Sequence, residues 1–451
     1  MDKEEIFRNV ITEGSIWRAI KILALPSMAG LLIEDIFNLT DMYFVSYLGA
    51  DAVAAVSMGG IITGLLIGGS GGLAAGTVAL VSRYVGEGKL KDANRIAAQS
   101  VVLSIILFFA IGVPCFFLSE KMLIALGAEE AVIAQGEGYL NVIFGGSITI
   151  FLTAFLSASL RGAGDATTPM IGLGIGVVAN MFLDPIMIHG WFGFPAMGVT
   201  GSAVATILTR FIAISIMVYV MLRNKTVLRL KKENFRVDKK ALRRIVRIGT
   251  PSSVNSTLIH ASLIFVVSVV AGFGTSAVAA YGVGIRMNQF ITLPTLGFGF
   301  ASAAIVGQNL GAGKPERSSK GGWLLTMISA MFALPIATLF FIFPGKIMGV
   351  FLSDNNAINV GTSLMRIRSP TMPFLAMGNN LTQAINGSGD TFHPLMFTIV
   401  SLVITRMSLV YYLPHLLGLN GIWIGMAVSN MLMAALNIAW FRMGRWKRVK
   451  V

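Results

Sequence analysis

The chain has 451 residues, of which 55% are hydrophobic, only 12% are charged and 50 are glycine. That balance excludes a large soluble protein and points to a chain embedded in lipid. The net charge of +14 is carried in clusters between apolar runs, where it acts as a topology determinant on a membrane surface, so no nucleic-acid partner is expected.

The N-terminal stretch MDKEEIFRNVITEGSIWRAIK is charged and amphipathic and has no cleavable signal-peptide pattern. Beyond it come twelve apolar runs, near residues 16–47, 52–82, 96–119, 134–160, 167–189, 197–222, 245–273, 276–306, 321–344, 357–385, 391–414 and 420–441. Each is long enough to cross about 30 Å of hydrocarbon at about 20 residues per span. All are expected to be α-helices, because lipid cannot satisfy a free backbone and strand alternation is absent. The first run, LLIEDIFNLTDMYFV, holds three acids, Glu34, Asp35 and Asp41. In the second, GGIITGLLIGGSGGLAAG from Gly59 signals close helix packing. Cys115, the single cysteine, lies in the third and excludes an intrachain disulfide or a cysteine metal cluster.

Residues 223–247 carry eleven Lys and Arg against two acids, and the C-terminal RMGRWKRVKV carries five more bases. RYVGEGKLKDANR and GKPERSSK are smaller basic clusters on the same side, whereas SEKMLIALGAEEA on the other side leans acidic. The positive-inside rule therefore predicts a multi-pass protein of the cell inner (plasma) membrane with both termini cytoplasmic.

The chain repeats itself at an offset of 225: LGADAVAAV from Leu48 matches FGTSAVAAY from Phe273, VSRYVGEGK from Val81 matches VGQNLGAGK from Val306, and LRGAGDATTPM from Leu160 matches INGSGDTFHPL from Ile385. Six crossings per copy return the chain to its starting side, so the copies enter the membrane in the same orientation. The expected organisation is an N-terminal lobe of helices 1–6 (1–222), a basic cytoplasmic linker (223–244) and a C-terminal lobe of helices 7–12 (245–451). The turns GEGK and GAGK fail as phosphate loops: Arg83 and Leu90, then Gln308 and Pro315, stand where Gly and Ser or Thr are required. No nucleophile and base pair stands out either. The expectation is a transporter, not an enzyme, without a cofactor and driven by an ion gradient.

The motifs IFNLTDMYFVSYLGADAVAAV, LVSRYVGEGK, LRGAGDATTPM and NMFLDPIMIHG resemble the multidrug and toxic compound extrusion (MATE) transporters over nearly the whole chain. The second copies YGVGIRMNQF and VGQNLGAGKP are similar to the branch with DNA-damage-inducible (DinF-like) and archaeal members. The resemblance implies twelve helices in two six-helix lobes, a central cavity alternating in access, and export of amphipathic organic compounds driven by proton or sodium entry. The alternative is a flippase for lipids or lipid-linked saccharides from the same superfamily. Expected partners are a small organic substrate and membrane lipid, and a monomer is the expected oligomeric state.

Asp41 lies about six residues before the outer end of helix 1, Asp184 about five before that of helix 5, and Ser202 about five into helix 6, so at about 1.5 Å per residue the three share one depth. Asn180 is one turn from Asp184 on the same face. Two carboxylates, an amide oxygen and a hydroxyl suit a hard cation such as sodium, or a carboxylate pair able to share a proton. In the resembled family the corresponding acid of helix 1 and the Asn and Asp of helix 5 form the cation site, which carries over to Asp41, Asn180 and Asp184, while the hydroxyl comes from Ser202 or Thr206. Glu34 and Asn38 extend the Asp41 face, with Glu34 either a second proton site, a cavity wall or a structural partner of Arg210. Phe37, Tyr139, Met58, Met287 and Phe290 are candidate cavity lining. Pro26 is a candidate hinge, because its ring leaves a helical carbonyl unbonded. Arg286, Arg366, Arg368 and Arg406 make the second lobe cationic, and are read as salt bridges to the polar stripe, as snorkelling side chains, or as a half-cavity for an anionic group.

Overall fold

In hydrocarbon each backbone amide needs a partner within its own segment or a closed barrel. The computed structural model describes residues 10–449, and among them the ordered backbone is helical with no strand. The spans in chain order are α1 (Ile16–Ser46), α2 (Ala50–Gly86), α3 (Leu90–Phe117), α4 (Glu130–Gly145 with Ser147–Gly162), α5 (Thr167–His189) and α6 (Gly198–Leu222). They continue as α7 (Lys239–Ala271), α8 (Thr275–Gly311), α9 (Pro315–Ile342), α10 (Asn355–Arg368 with Met372–Gly387), α11 (Phe392–Leu417) and α12 (Leu419–Met443). The first nine residues of the charged N-terminal stretch lie outside the described residues.

Ten of these helices are each long and apolar enough to cross a membrane, and α4 makes an eleventh as a pair bent by 48°. The remaining span, α10, is broken by the 3-10 turn Ser369–Thr371, where Pro370 supplies no backbone donor. Two spans contain a π-helical stretch, Phe108–Gly112 in α3 and Ile399–Arg406 in α11. Basic residues delay the apparent start of α7 in the sequence, but the helix begins at Lys239 because the Asp238 carboxylate accepts from the Lys240 amide at 3.0 Å.

The backbone carries the repeat as plainly as the side chains do. Gly49 and Gly274, Gly88 and Gly313, and Gly164 and Gly389 stand 225 residues apart, and each takes a positive φ between 70° and 105°. Only glycine adopts that conformation without strain, so the same three turns are built twice.

The two copies meet mainly where α1 and α2 pack against α7 and α8. A Cβ at Gly72 would strike the Ser253 backbone, one at Gly249 the Leu73 backbone, and one at Gly311 the Arg83 carbonyl. Ser253 donates to the Gly69 carbonyl at 2.8 Å and Gln308 to the Gly162 carbonyl at 2.9 Å across the same seam. Backbone-to-backbone contact is thus concentrated at the end that bears the basic turns. Nearer the other end, nothing lies within 4 Å of the Cβ position at Gly60, Gly64 or Gly282.

Candidate functional site

The helix ends bear out the depth count: α1 ends at Ser46, α5 at His189, and α6 starts at Gly198. Around Asp41, Asp184 and Ser202 the backbones approach closely because small residues line the crossing of α5 and α6. A Cβ added at Gly172 would lie 3.1 Å from the Ala213 carbonyl and one at Gly176 3.2 Å from the Thr209 carbonyl. One at Gly201 would lie 2.9 Å from the Ile188 amide nitrogen. That approach sets Ser202 beside the neighbouring acids.

The Ser202 hydroxyl donates to Asp41 Oδ1 at 2.6 Å, and Asn180 Nδ2 donates to Asp184 Oδ1 at 2.9 Å. Asp41 and Asp184 lie within electrostatic range of one another. Asn180, Asp184 and Ser202 are fully buried, and Asp41 is 8% exposed. Asn180 Oδ1 and Asp184 Oδ2 are buried without a hydrogen-bond partner. A buried oxygen without a donor is costly, so this set of acceptors fits a cation or an added proton. Among the described residues no cluster of three or more His, Cys, Asp or Glu occurs; sodium here would draw on neutral oxygens beside the two carboxylates. The hydroxyl on Asp41 is that of Ser202, with Thr206 one turn further along α6.

Glu34 Oε1 stands 3.7 Å from Arg210 Nη2, the partner anticipated for it, and both line a small cavity with Phe37, Leu173, Val177 and Thr209. Asn38 is exposed two turns from Ser46. Tyr139 departs from its expected place: it is 6% exposed and packed in a cluster with Val45, Leu140 and Phe144. Its ring occupies the space a Cβ at Gly59 would need, so it backs the site within electrostatic range of Asp41 and Arg210 and does not line open space. Met287 is likewise core, at 4% exposed beside Val266 and Tyr281, whereas Phe290 is 60% exposed. Met58 is half-buried against the Tyr139 cluster. Hydrophobicity alone does not report which way a residue faces on a helix buried on several sides.

Pro26 is half-buried inside the unbroken α1, and its repeat mate Pro251 sits inside α7. Arg286, Arg366, Arg368 and Arg406 make no ion pair with a carboxylate among the described residues, which corrects the salt-bridge expectation. Arg286 is exposed, with Nη1 3.4 Å from Gln289 Oε1, and Arg366 is also exposed. Arg368 and Arg406 are instead buried, beside Tyr281 and Trp423. Sequence reasoning missed both aromatics; the available signal is that a buried Tyr or Trp carries a polar group that needs a partner.

A family model described as MatE matches residues 26–186 and 251–412, one match in each copy. The chain is 29% identical over 464 aligned positions to the Probable multidrug resistance protein NorM of Thermotoga maritima, covering 98% of this chain and 96% of that protein. It is 23% identical to the FAD transporter of Shewanella oneidensis, covering 94% of each. A solved MOP superfamily transporter from Pyrococcus furiosus, described as having a binding pocket of reversed polarity that suggests a different function, superposes with a TM-score of 0.89 at 25% identity over 98% of each chain.

Proposed function

Because the chain belongs to the MatE family, the multidrug and toxic compound extrusion transporters, we propose that it is a cation-coupled antiporter that exports amphipathic organic compounds by alternating access between its two lobes. The observation that carries this reading is the buried oxygen set of Asp41, Asn180, Asp184 and Ser202 in the first lobe, two of whose oxygens lack a donor. At an offset of 225 the second lobe has Val266, Thr405 and Leu409 in place of Asp41, Asn180 and Asp184. One lobe therefore handles the coupling ion.

The protein sits in the plasma membrane as a monomer, with both termini and the basic linker cytoplasmic. The glycine seam between α2 and α7 and between α2 and α8 then closes the cytoplasmic side, and the acidic site faces the outside. A proton or sodium ion arriving from outside supplies the positive charge that Asn180 Oδ1 and Asp184 Oδ2 lack. Loading that site changes the charge of the helix 1 and helix 5 faces, and Pro26 gives α1 a point at which to bend without breaking a backbone hydrogen bond. Substrate leaves toward the outside as the lobes rock about their seam. Relatives named for multidrug resistance support an organic small molecule as cargo.

The test is transport in proteoliposomes with a fluorescent amphipathic dye. Export should collapse when proton and sodium gradients are dissipated, even with ATP abundant, and imposing each gradient alone identifies the coupling ion. Sustained uphill export from gradient-free vesicles supplied with ATP would refute the antiporter. Movement of a fluorescent lipid between leaflets, with no dye export, would favour the flippase reading.

A further inference from the structure

The second lobe buries two guanidinium groups with no carboxylate beside them. Arg406, on the π-helical stretch of α11, donates from Nε to Ser429 Oγ at 2.8 Å, from Nη2 to Asn430 Oδ1 at 2.7 Å and from Nη1 to Ser262 Oγ at 3.4 Å. Arg368, at the end of the first arm of α10, has its Nε buried without a partner. Each lies within electrostatic range of the other and of the Tyr281 phenol on α8. Tyr281 stacks on Trp423 of α12 with ring centroids 5.6 Å apart at an interplanar angle of 18°. The Tyr281 hydroxyl and Trp423 Nε1 are also buried without partners.

These orphan groups share one property. Arginine and the indole nitrogen can only donate hydrogen bonds, and the phenol donates as readily as it accepts. Four elements therefore bring donors and two positive charges to one enclosed region, with Trp423 and Tyr281 at 0% and 1% exposed and Arg368 and Arg406 at 5% and 9%. A buried charge without a counter-charge is strongly destabilising, more so at membrane depth. We propose that this lobe holds a monovalent anion of halide size, framed by Arg368, Arg406, Tyr281 and Trp423. The degree of enclosure sets the size: an anion that fits among side chains this buried is small, and a carboxylate borne on a bulky molecule is not. The site lies in the lobe that lacks the Asp41 oxygen set, so it stands or falls separately from cation coupling.

Purified full-length protein, exchanged into gluconate at fixed ionic strength and titrated with chloride or bromide, gives the readout as thermal stability. Binding to the folded state alone raises Tm with the logarithm of halide concentration once that exceeds Kd. Arg368→Gln should abolish the rise. Tyr281→Phe keeps the stack on Trp423 and removes one hydrogen bond to an anion, so it should weaken the halide response roughly tenfold; if Arg368→Gln does not fold, Tyr281→Phe decides alone. Asp41→Asn should keep the wild-type halide response. In bromide-soaked crystals the anomalous signal should fall between the two guanidinium groups. Equal stabilisation by gluconate, an undiminished response in Tyr281→Phe, or a bromide signal only elsewhere would overturn the site.

Discussion

Asp41→Asn is the sharpest perturbation of the proposed coupling site, because it removes a charge while leaving the shape. The amide oxygen can still accept the Ser202 hydroxyl at the 2.6 Å position, so the protein should fold and accumulate. One cation entering per neutral substrate exported yields about 2.3 kcal/mol at 100 mV, which sustains a substrate gradient of roughly 50-fold. Wild-type vesicles should approach that ratio, and Asp41→Asn should hold a ratio near unity while retaining dye binding. The repeat supplies its own controls: Val266→Ile and Leu409→Met alter the apolar residues that stand 225 positions on from Asp41 and Asp184. Steady-state dye accumulation in proteoliposomes under an imposed potential measures all three variants. A gradient held at the wild-type level by Asp41→Asn, or lost only with the second-lobe changes, would place the ion site in the wrong lobe.

Gly201→Ala should press α6 away from Met187 and Ile188 of α5, costing about 1–3 kcal/mol by overpacking; the check is a lower Tm together with weaker ion dependence of transport, and an unchanged ion dependence would separate packing from site geometry. Pro26→Ala should preserve expression but slow turnover, measured as initial dye efflux; full-rate transport would remove bending at this proline from the cycle. Asp390 accepts from His393 Nδ1 at 2.7 Å and from Trp440 Nε1 at 3.0 Å, with His393 stacked on Trp440. Asp390→Ala leaves the half-buried indole donor of Trp440 without its partner and should destabilise the end of α10 against α12 by about 1–3 kcal/mol, read as a drop in Tm without loss of ion selectivity.

Span positions and the common depth of Asp41, Asp184 and Ser202 were legible because both come from counting. Hydrocarbon thickness sets the length of an apolar run, and a constant rise per residue carries Asp41, Asp184 and Ser202 to one level before any packing is known. The Glu34 and Arg210 pairing was one of the readings the sequence left open, and the 3.7 Å approach of the two charges beside a small cavity bears it out. What counting could not supply was facing. Tyr139 and Met287 suit a cavity wall by composition, yet both are packed in cores, because a helix in a bundle is apolar on its lipid side and its protein side alike. The choice between them is made by neighbours such as Gly59, whose missing Cβ makes room for the Tyr139 ring.

The second lobe shows why a repeat read residue by residue can mislead about chemistry while remaining right about fold. The offset of 225 sets Arg406 against Met181, which is 41% exposed on α5, yet Arg406 is 9% exposed in the core. In α11 the stretch Ile399–Arg406 is π-helical, whereas α5 runs as an α-helix through the matching positions. A π turn accommodates an extra residue and so rotates the rest of the helix by about 100°, enough to carry an outward side chain inward. The glycine turns held at both ends keep the two lobes alike in outline. Within that outline the cluster around Asp41 holds unpaired buried acceptors, Asn180 Oδ1 and Asp184 Oδ2, and the cluster around Arg406 holds unpaired buried donors, Arg368 Nε, Trp423 Nε1 and the Tyr281 hydroxyl. On the proposed readings a cation completes one set and an anion the other, and duplication followed by a local change in helix winding would turn one fold into two half-sites of opposite polarity.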